Sequence, residues 1–256
     1  MTDDGMVPAE HLRWFATERA AFGRVLEDGD LDAPVPGCPA WRLRELASHL
    51  GGVHRWARLA VLTAPGSDQY AAPKTRGPLT EPPVPSERAA LVDWFDDGGA
   101  ELERTLRRTD PDTPCWTMAP PAVAAFWMRR QAHETAMHRW DAQRSRGAPD
   151  PIDPALAADG VAEVMDMVFP RQVRLGRQPP LTHSLRVEVA GGAGYTLAGD
   201  GTAPDPNPAP PHATVTGPPE ALLLLLWKRT TLDDHRISVT GSREAAAEVV
   251  AAHITP

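Results

Sequence analysis

Thiols are scarce in this chain: Cys38 and Cys115 are its two cysteines. So small a number builds no disulfide framework, and a reducing compartment is expected. Lysine is equally scarce. Lys74 and Lys228 are the two lysines, and the other basic side chains are arginines. With many alanines and 28 prolines, this is the composition of a GC-rich, actinobacterial type of genome. Positive charge is in deficit, 26 Lys and Arg against 34 Asp and Glu, for a formal net charge of −8. Nucleic acid, which requires clustered cations, is therefore not an expected partner. Long apolar runs are absent. The longest, Ala221–Trp227, is far too short to span a bilayer. The acidic start "MTDDGMVPAEHL" has no apolar segment of signal-peptide type. These absences lead to the expectation of a soluble, cytoplasmic protein with no membrane partner.

What the chain does have is helical periodicity. Leu12, Phe15, Phe22 and Leu26 make one apolar stripe in a helix predicted over Pro8–Glu27, with Arg19 the polar exception. Leu43, Leu46, Leu50, Val53, Ala57 and Ala60 make a second in Trp41–Leu62. A third helix is predicted from Ser86, a suitable N-cap, to Arg108, and a fourth over Ala122–Arg144. The Pro- and Gly-rich stretch Thr63–Pro85 reads as a long loop. Beyond the linker-like Gly147–Pro154 the pattern changes. A helix over Ala155–Phe169, a hairpin in "SLRVEVAGGAGYTLAGDG", short strands in "HATVTG" and "HRISVTG", an apolar helix over Pro219–Trp227 and a closing helix in "SREAAAEVVAAH" follow. Ala203–Pro211 reads as an exposed loop. The expected fold is α+β: a four-helix bundle over residues 1–148, then a smaller α/β domain over 149–256. A bundle of this kind can cover its own apolar faces, so a monomer or weak homodimer is expected.

The stretch "RRQAHETAMHRW" holds the chemistry-bearing residues of the fourth helix. It lacks the H-E-x-x-H of zinc proteases. His133 and His138 are five positions apart, which on a helix separates them by about 140°. Glu134 and His138 are four apart, roughly 40° on the wheel, so both can reach one point. They form either an ion pair on a solvated face or two thirds of a zinc site. In the second helix, His49 flanks the apolar stripe and should point inward, as a hydrogen-bonded core residue or as a ligand. Burying Glu134 unpaired would cost several kcal/mol, about 2–7 for a polar group and more for a charge, so a metal or an ion pair is expected beside it.

"GCPAWRLRELASHLGGVHRWA" and, further on, "RRQAHETAMHRWDAQ" resemble the mycothiol-dependent maleylpyruvate isomerase-like family of the DinB superfamily. The resemblance extends over both halves, the second being similar to the family's smaller, sterol-carrier-like domain. It implies a DinB-like bundle and a divalent metal, zinc or another, held by His49, Glu134 and His138. It implies mycothiol, a low-molecular-weight thiol, as cosubstrate, and a small electrophilic molecule as substrate. A thiol on zinc is deprotonated at neutral pH, and the thiolate is the reactive species. Transfer of the sulfur to the electrophile and thiol-assisted isomerisation both follow from such chemistry. A metal-hydroxide hydrolase and a non-catalytic binding module are the alternatives. The resemblance further implies an arginine from the second domain, which falls on Arg229, with Lys228 and Arg236 as neighbouring choices.

Other residues carry two readings each. Arg130 orients Glu134 or binds an anionic substrate, or is one half of a surface pair. Asp141 accepts a proton from His138, or pairs with Arg144. Cys38 precedes a helix, where a thiolate is favoured, but is set in a proline-flanked turn. His133 and His54 should face away from the site, and Trp41, Trp56, Trp127 and Trp140 should form core or groove walls.

Overall fold

The computed structural model describes residues 6–66, 84–201 and 209–255. The sequence-predicted loops Thr63–Pro85 and Ala203–Pro211 lie mostly outside the described residues. The chain divides into two compact units, Met1–Pro151 and Ile152–Pro256.

The first unit contains α1 (Pro8–Asp28), α2 (Leu43–Val61), α3 (Arg88–Arg108) and α4 (Ala124–Arg144). Their starts are set locally. Pro8 opens α1, where its missing N–H costs nothing, and Glu10 accepts the Val7 N–H at 3.0 Å. Glu45 does the same for the Arg42 N–H at 2.9 Å. Ser86 does not cap α3. The cap position falls on Glu87, and the Ser86 carbonyl instead accepts from Arg44.

Each helix packs chiefly on two neighbours: α1 on α3 and α4, and α2 on α3 and α4. Directions follow from the pairs that meet. Between α1 and α4, His11 meets His133, Glu18 meets Arg139 and Asp28 meets Arg146, so the numbers rise together and the helices are parallel. Between α2 and α3, Gly51 meets Trp94 and Arg58 meets Glu101, again parallel. Between α2 and α4, His49 meets Glu134 and Trp56 meets Trp127, which is antiparallel. Between α1 and α3, Arg19 meets Glu103 and Phe22 meets Phe95, also antiparallel. The bundle therefore runs up, down, down, up.

Phe15, Phe22, Leu26, Leu43, Leu46, Leu50, Phe95, Leu102 and Leu106 are fully buried in this bundle. The α2–α3 approach depends on glycine. A Cβ on Gly51 would lie 2.2 Å from the Trp94 ring, and one on Gly98 would lie 2.1 Å from Arg55 Nη1. In the space so left, the Arg55 guanidinium stacks 3.9 Å over the Trp94 ring and donates to the Trp94 carbonyl. On the α1–α4 side, Arg139 is 2% exposed and Glu18 4%, and they form a buried pair at 2.5 Å. Arg139 also donates to Gln143 Oε1 and to the Asp150 and Pro151 carbonyls, fastening the end of the unit to α4.

The second unit begins with α5 (Pro154–Glu163), a π-helical turn (Val164–Val168) and α6 (Phe169–Arg174). The helix predicted over Ala155–Phe169 thus continues to Arg174, through a widened turn. Pro170 has no N–H to give to the preceding turn, and the ladder widens just before it. Strands β1 (Leu181–Val189), β2 (Gly194–Gly199), β3 (Ala213–Gly217) and β4 (Ser238–Gly241) form one sheet in the order β2-β1-β3-β4. The β1–β2 and β3–β4 pairs are antiparallel and β1–β3 is parallel. Leu185, Val187 and Val189 alternate toward the core, as do Ala213 and Val215. Helix α7 (Pro219–Leu226) is buried along its whole leucine run, and α8 (Arg243–Ala251) packs on the sheet. The fold is α+β, as expected from the sequence. Among the described residues, no helix is long and apolar enough to cross a membrane.

His54 is a neutral group built into the bundle core. It is fully buried between Phe15 and Phe95, with Nε2 3.1 Å from Thr135 Oγ1. Burial, helped by the nearby Arg19 charge, lowers its pKa from 6.5 to about 3. Between those values the unfolded chain binds a proton that the folded chain refuses. Stability from this group is complete above pH 6.5 and falls on acidification, with a slope of up to about 1.4 kcal/mol per pH unit. Urea unfolding of the wild type and His54→Gln at pH 7, 6 and 5 should show a shallower acid loss in the variant. Equal slopes would exclude His54 as the source.

Candidate metal centre

The site is built where α2 and α4 run antiparallel. His49 comes from the second turn of α2, and Glu134 and His138 come from one face of α4. Glu134 Oε1 lies 3.3 Å from His49 Nε2 and 3.3 Å from His138 Nε2. The two imidazole rings are 5.1 Å apart and nearly perpendicular. Two ring nitrogens therefore face one carboxylate oxygen from different helices.

The other carboxylate oxygen is occupied. Arg130 Nη2 is 2.5 Å from Glu134 Oε2, and Arg130 is 5% exposed. This is a buried, charge-assisted contact and not the surface pair that the i,i+4 spacing also allowed. Burial opposes ionisation of Glu134, yet Arg130 and the two imidazoles outweigh it and hold the carboxyl well below its usual range.

Asp141, fully buried, accepts from His138 Nδ1 at 3.1 Å. Arg144, three residues further along, donates to the Gly147 carbonyl instead. With its proton on Nδ1, a neutral His138 presents the Nε2 lone pair toward Glu134 Oε1. Burial pulls the His138 pKa down, but Asp141 and Glu134 outweigh it and raise the value to about 9.

The connection between α1 and α2 supplies the rest of the surroundings. Its turn is held by Cys38 N–H to the Val35 carbonyl, Trp41 N–H to the Cys38 carbonyl and Val35 N–H to the Trp41 carbonyl. The Trp41 ring lies 4.7 Å from that of His49 and 6.3 Å from that of His138. Cys38 Sγ lies 3.8 Å from Asp141 Oδ2. The sequence places Cys38 in a proline-flanked turn before the helix and Trp41 in a core or groove wall, and neither reading brings them beside His138 and Asp141.

Not every histidine joins this cluster. His133 is buried with its ring edge toward His11, 6.0 Å between centroids. His54 lies in the core as described above. Arg229 belongs to the second unit, where its Nη1 donates to the Trp227 carbonyl at 2.7 Å. Lys228 donates to the Ala251 carbonyl, and Arg236 is engaged by Asp234 and Glu220.

The donor set suits a divalent ion. Around a tetrahedral zinc with bonds of about 2.0–2.1 Å, donor atoms lie about 3.3 Å apart. The two Nε2–Oε1 distances of 3.3 Å match that edge. Two neutral imidazoles and a carboxylate are also a set that zinc takes with a position left open.

A family model described as the mycothiol maleylpyruvate isomerase N-terminal domain matches residues 12–143. A second, described as the C-terminal domain of the same group, matches residues 155–248. A solved structure of the mycothiol-dependent maleylpyruvate isomerase is similar, with a TM-score of 0.61 and 13% identity, over 92% of this chain and 93% of that one. A histidine-to-alanine mutant of that isomerase gives 0.63 and 12% over the same shares. No match was found among curated proteins.

Metal content separates the histidines. His138→Ala should lose most bound zinc, and His133→Ala should keep it, measured by elemental analysis of protein reconstituted under identical conditions. Asp141→Asn should retain the fold and bind zinc roughly 10- to 100-fold more weakly, since it loses the charge that fixes His138. Full occupancy in His138→Ala would remove this cluster as the metal site.

Proposed function

The chain belongs to the mycothiol maleylpyruvate isomerase family, and on that footing we propose that it is a divalent-metal-dependent, mycothiol-dependent enzyme. It acts on a small electrophilic molecule, either transferring the thiol sulfur to it or isomerising it through reversible thiol addition. The observation that carries this reading is the single carboxylate oxygen of Glu134 facing two imidazole Nε2 atoms, each at 3.3 Å. His49, Glu134 and His138 would hold the ion, zinc by the chemistry of the set. What the ion supplies is a lowered thiol pKa, so that a thiol brought to its open position is nucleophilic at neutral pH.

The chain's own residues set the conditions for that chemistry. Arg130 balances the charge of Glu134 and fixes its rotation, which leaves Oε1 directed at the histidines. Asp141 keeps the His138 proton on Nδ1. The Trp41 ring packs beside the two imidazoles, 4.7 Å from His49 and 6.3 Å from His138. The sulfur electron pair forms a bond to an electrophilic carbon while a bond to that carbon breaks, the π bond of an alkene conjugated to an acceptor group or the carbon–oxygen bond of an epoxide, and the displaced pair moves onto the acceptor group or the oxygen. In transfer the carbon–sulfur bond is kept, and the atom that received the pair takes up the proton the thiol gave up. In isomerisation the carbon–sulfur bond breaks after rotation about the adjacent bond, and the thiol is released unchanged. Arg229 is the proposed cation for a carboxylate of the substrate or thiol.

The test is turnover of an activated alkene or epoxide by the zinc-loaded protein, with and without mycothiol, read by mass spectrometry of the products. A thiol conjugate or an isomer should form only when both zinc and thiol are present. Turnover at the same rate without thiol would overturn the thiol reading. Arg229→Ala should retain its zinc and lose affinity or rate for a carboxylate-bearing substrate. Unchanged kinetics would remove Arg229 alone.

A further inference from the structure

His138 has two ring nitrogens, and the Nδ1 side is a second meeting point of metal-type ligands. Cys38, His138 and Asp141 bring their donor atoms within 4.8 Å of one another. Cys38 Sγ is 3.8 Å and His138 Nδ1 3.1 Å from the same Asp141 oxygen, Oδ2. For a tetrahedral ion with bonds of about 2.0 Å to nitrogen and oxygen and about 2.3 Å to sulfur, the matching edges are about 3.5 Å and about 3.3 Å. The three side chains thus stand close to a thiolate–imidazole–carboxylate set. Two separate constraints hold them. Cys38 is fixed by the hydrogen-bonded turn before α2, and His138 and Asp141 are fixed by i,i+3 spacing on α4. Cys38 is half-buried and packs against the bundle core, while Asp141 is fully buried.

We propose that Cys38, His138 and Asp141 form a second metal site, selective for a soft divalent ion, which shares His138 with the His49–Glu134–His138 set. A thiolate beside an imidazole and a carboxylate favours zinc and cadmium over magnesium or calcium. As the ion enters, the thiol proton of Cys38 leaves and the single proton of the neutral His138 ring passes from Nδ1 to Nε2. No carbon bond changes and nothing is oxidised. With the first set empty, His138 keeps a proton on Nε2. With both filled, it becomes an imidazolate bridge.

Cadmium is the probe, because a cadmium–thiolate bond has an ultraviolet charge-transfer band that nitrogen and oxygen ligands do not give. Metal-free full-length protein titrated with Cd²⁺ should develop this band to saturation. The band should persist in Cys115→Ser and in His49→Ala, and the latter separates this site from the first set, which the substitution disables. It should be lost in Cys38→Ser, a near-isosteric change on a half-buried turn. Asp141→Asn should need at least about tenfold more cadmium to reach half of the band. No band in the wild type, an undiminished band in Cys38→Ser, or unchanged affinity in Asp141→Asn would each overturn the proposal.

Discussion

The carboxylate of Glu134 is the group on which the bundle's polar interior depends. It is largely shielded from water, so its charge must be met by the protein. Arg130 meets one oxygen from a turn earlier on the same helix, and two imidazoles from two helices meet the other. Loss of Arg130 would leave a buried anion short of compensation. The cluster is thus tied together by electrostatics before any ion is considered, and an ion at Oε1 adds to an anion that is already formed.

The topology makes this convergence possible. Because α1 pairs in parallel with α4, and α2 in parallel with α3, the beginning of α2 lies against the later turns of α4. His49, early in α2, therefore meets Glu134 and His138, late in α4. The same antiparallel seam brings Trp56 to Trp127 further along. Nothing in the spacing of either helix alone produces the meeting of His49 with Glu134. It follows from which helices are neighbours and which way each runs.

That distinction marks what was legible in the sequence. The common face of Glu134 and His138 could be read from a spacing of four, because the helical period is a local property. The inward placement of His49 could be read from the stripe through Leu46 and Leu50, but its partner could not, since that depends on tertiary pairing. The resemblance to a family named it. Asp141 was legible as a neighbour of His138 on the helix, yet local rules gave Arg144 an equal claim. Burial of Asp141 decided between them in favour of the imidazole. The α+β class and the strand segments followed from periodicity changing from helical to alternating. The misplaced cap at Ser86 and the early end at Phe169 are boundary effects. Backbone geometry fixes the first, and the ladder's response to Pro170 fixes the second.

The α1–α2 connection is the segment whose importance local patterns conveyed least. Helices α1 and α2 are diagonal in the bundle, so the chain between them cannot take a short hairpin path. It must cross one end of the bundle, and the Asp28–Arg146 ion pair shows which end, the C-terminal end of α4. A segment obliged to cross there passes over the turn of α4 that carries His138 and Asp141. Two of its side chains, the Trp41 indole and the Cys38 thiol, are set down against those residues. The topology that gives the site its His49 therefore also gives it an indole ring and a sulfur. Both sit on a turn whose backbone hydrogen bonds close within Val35–Trp41. His138 stands at the centre of this arrangement with both nitrogens committed, Nε2 toward Glu134 and Nδ1 toward Asp141. An amide side chain there could reproduce one of these contacts but not both with imidazole geometry, so the position admits no conservative replacement.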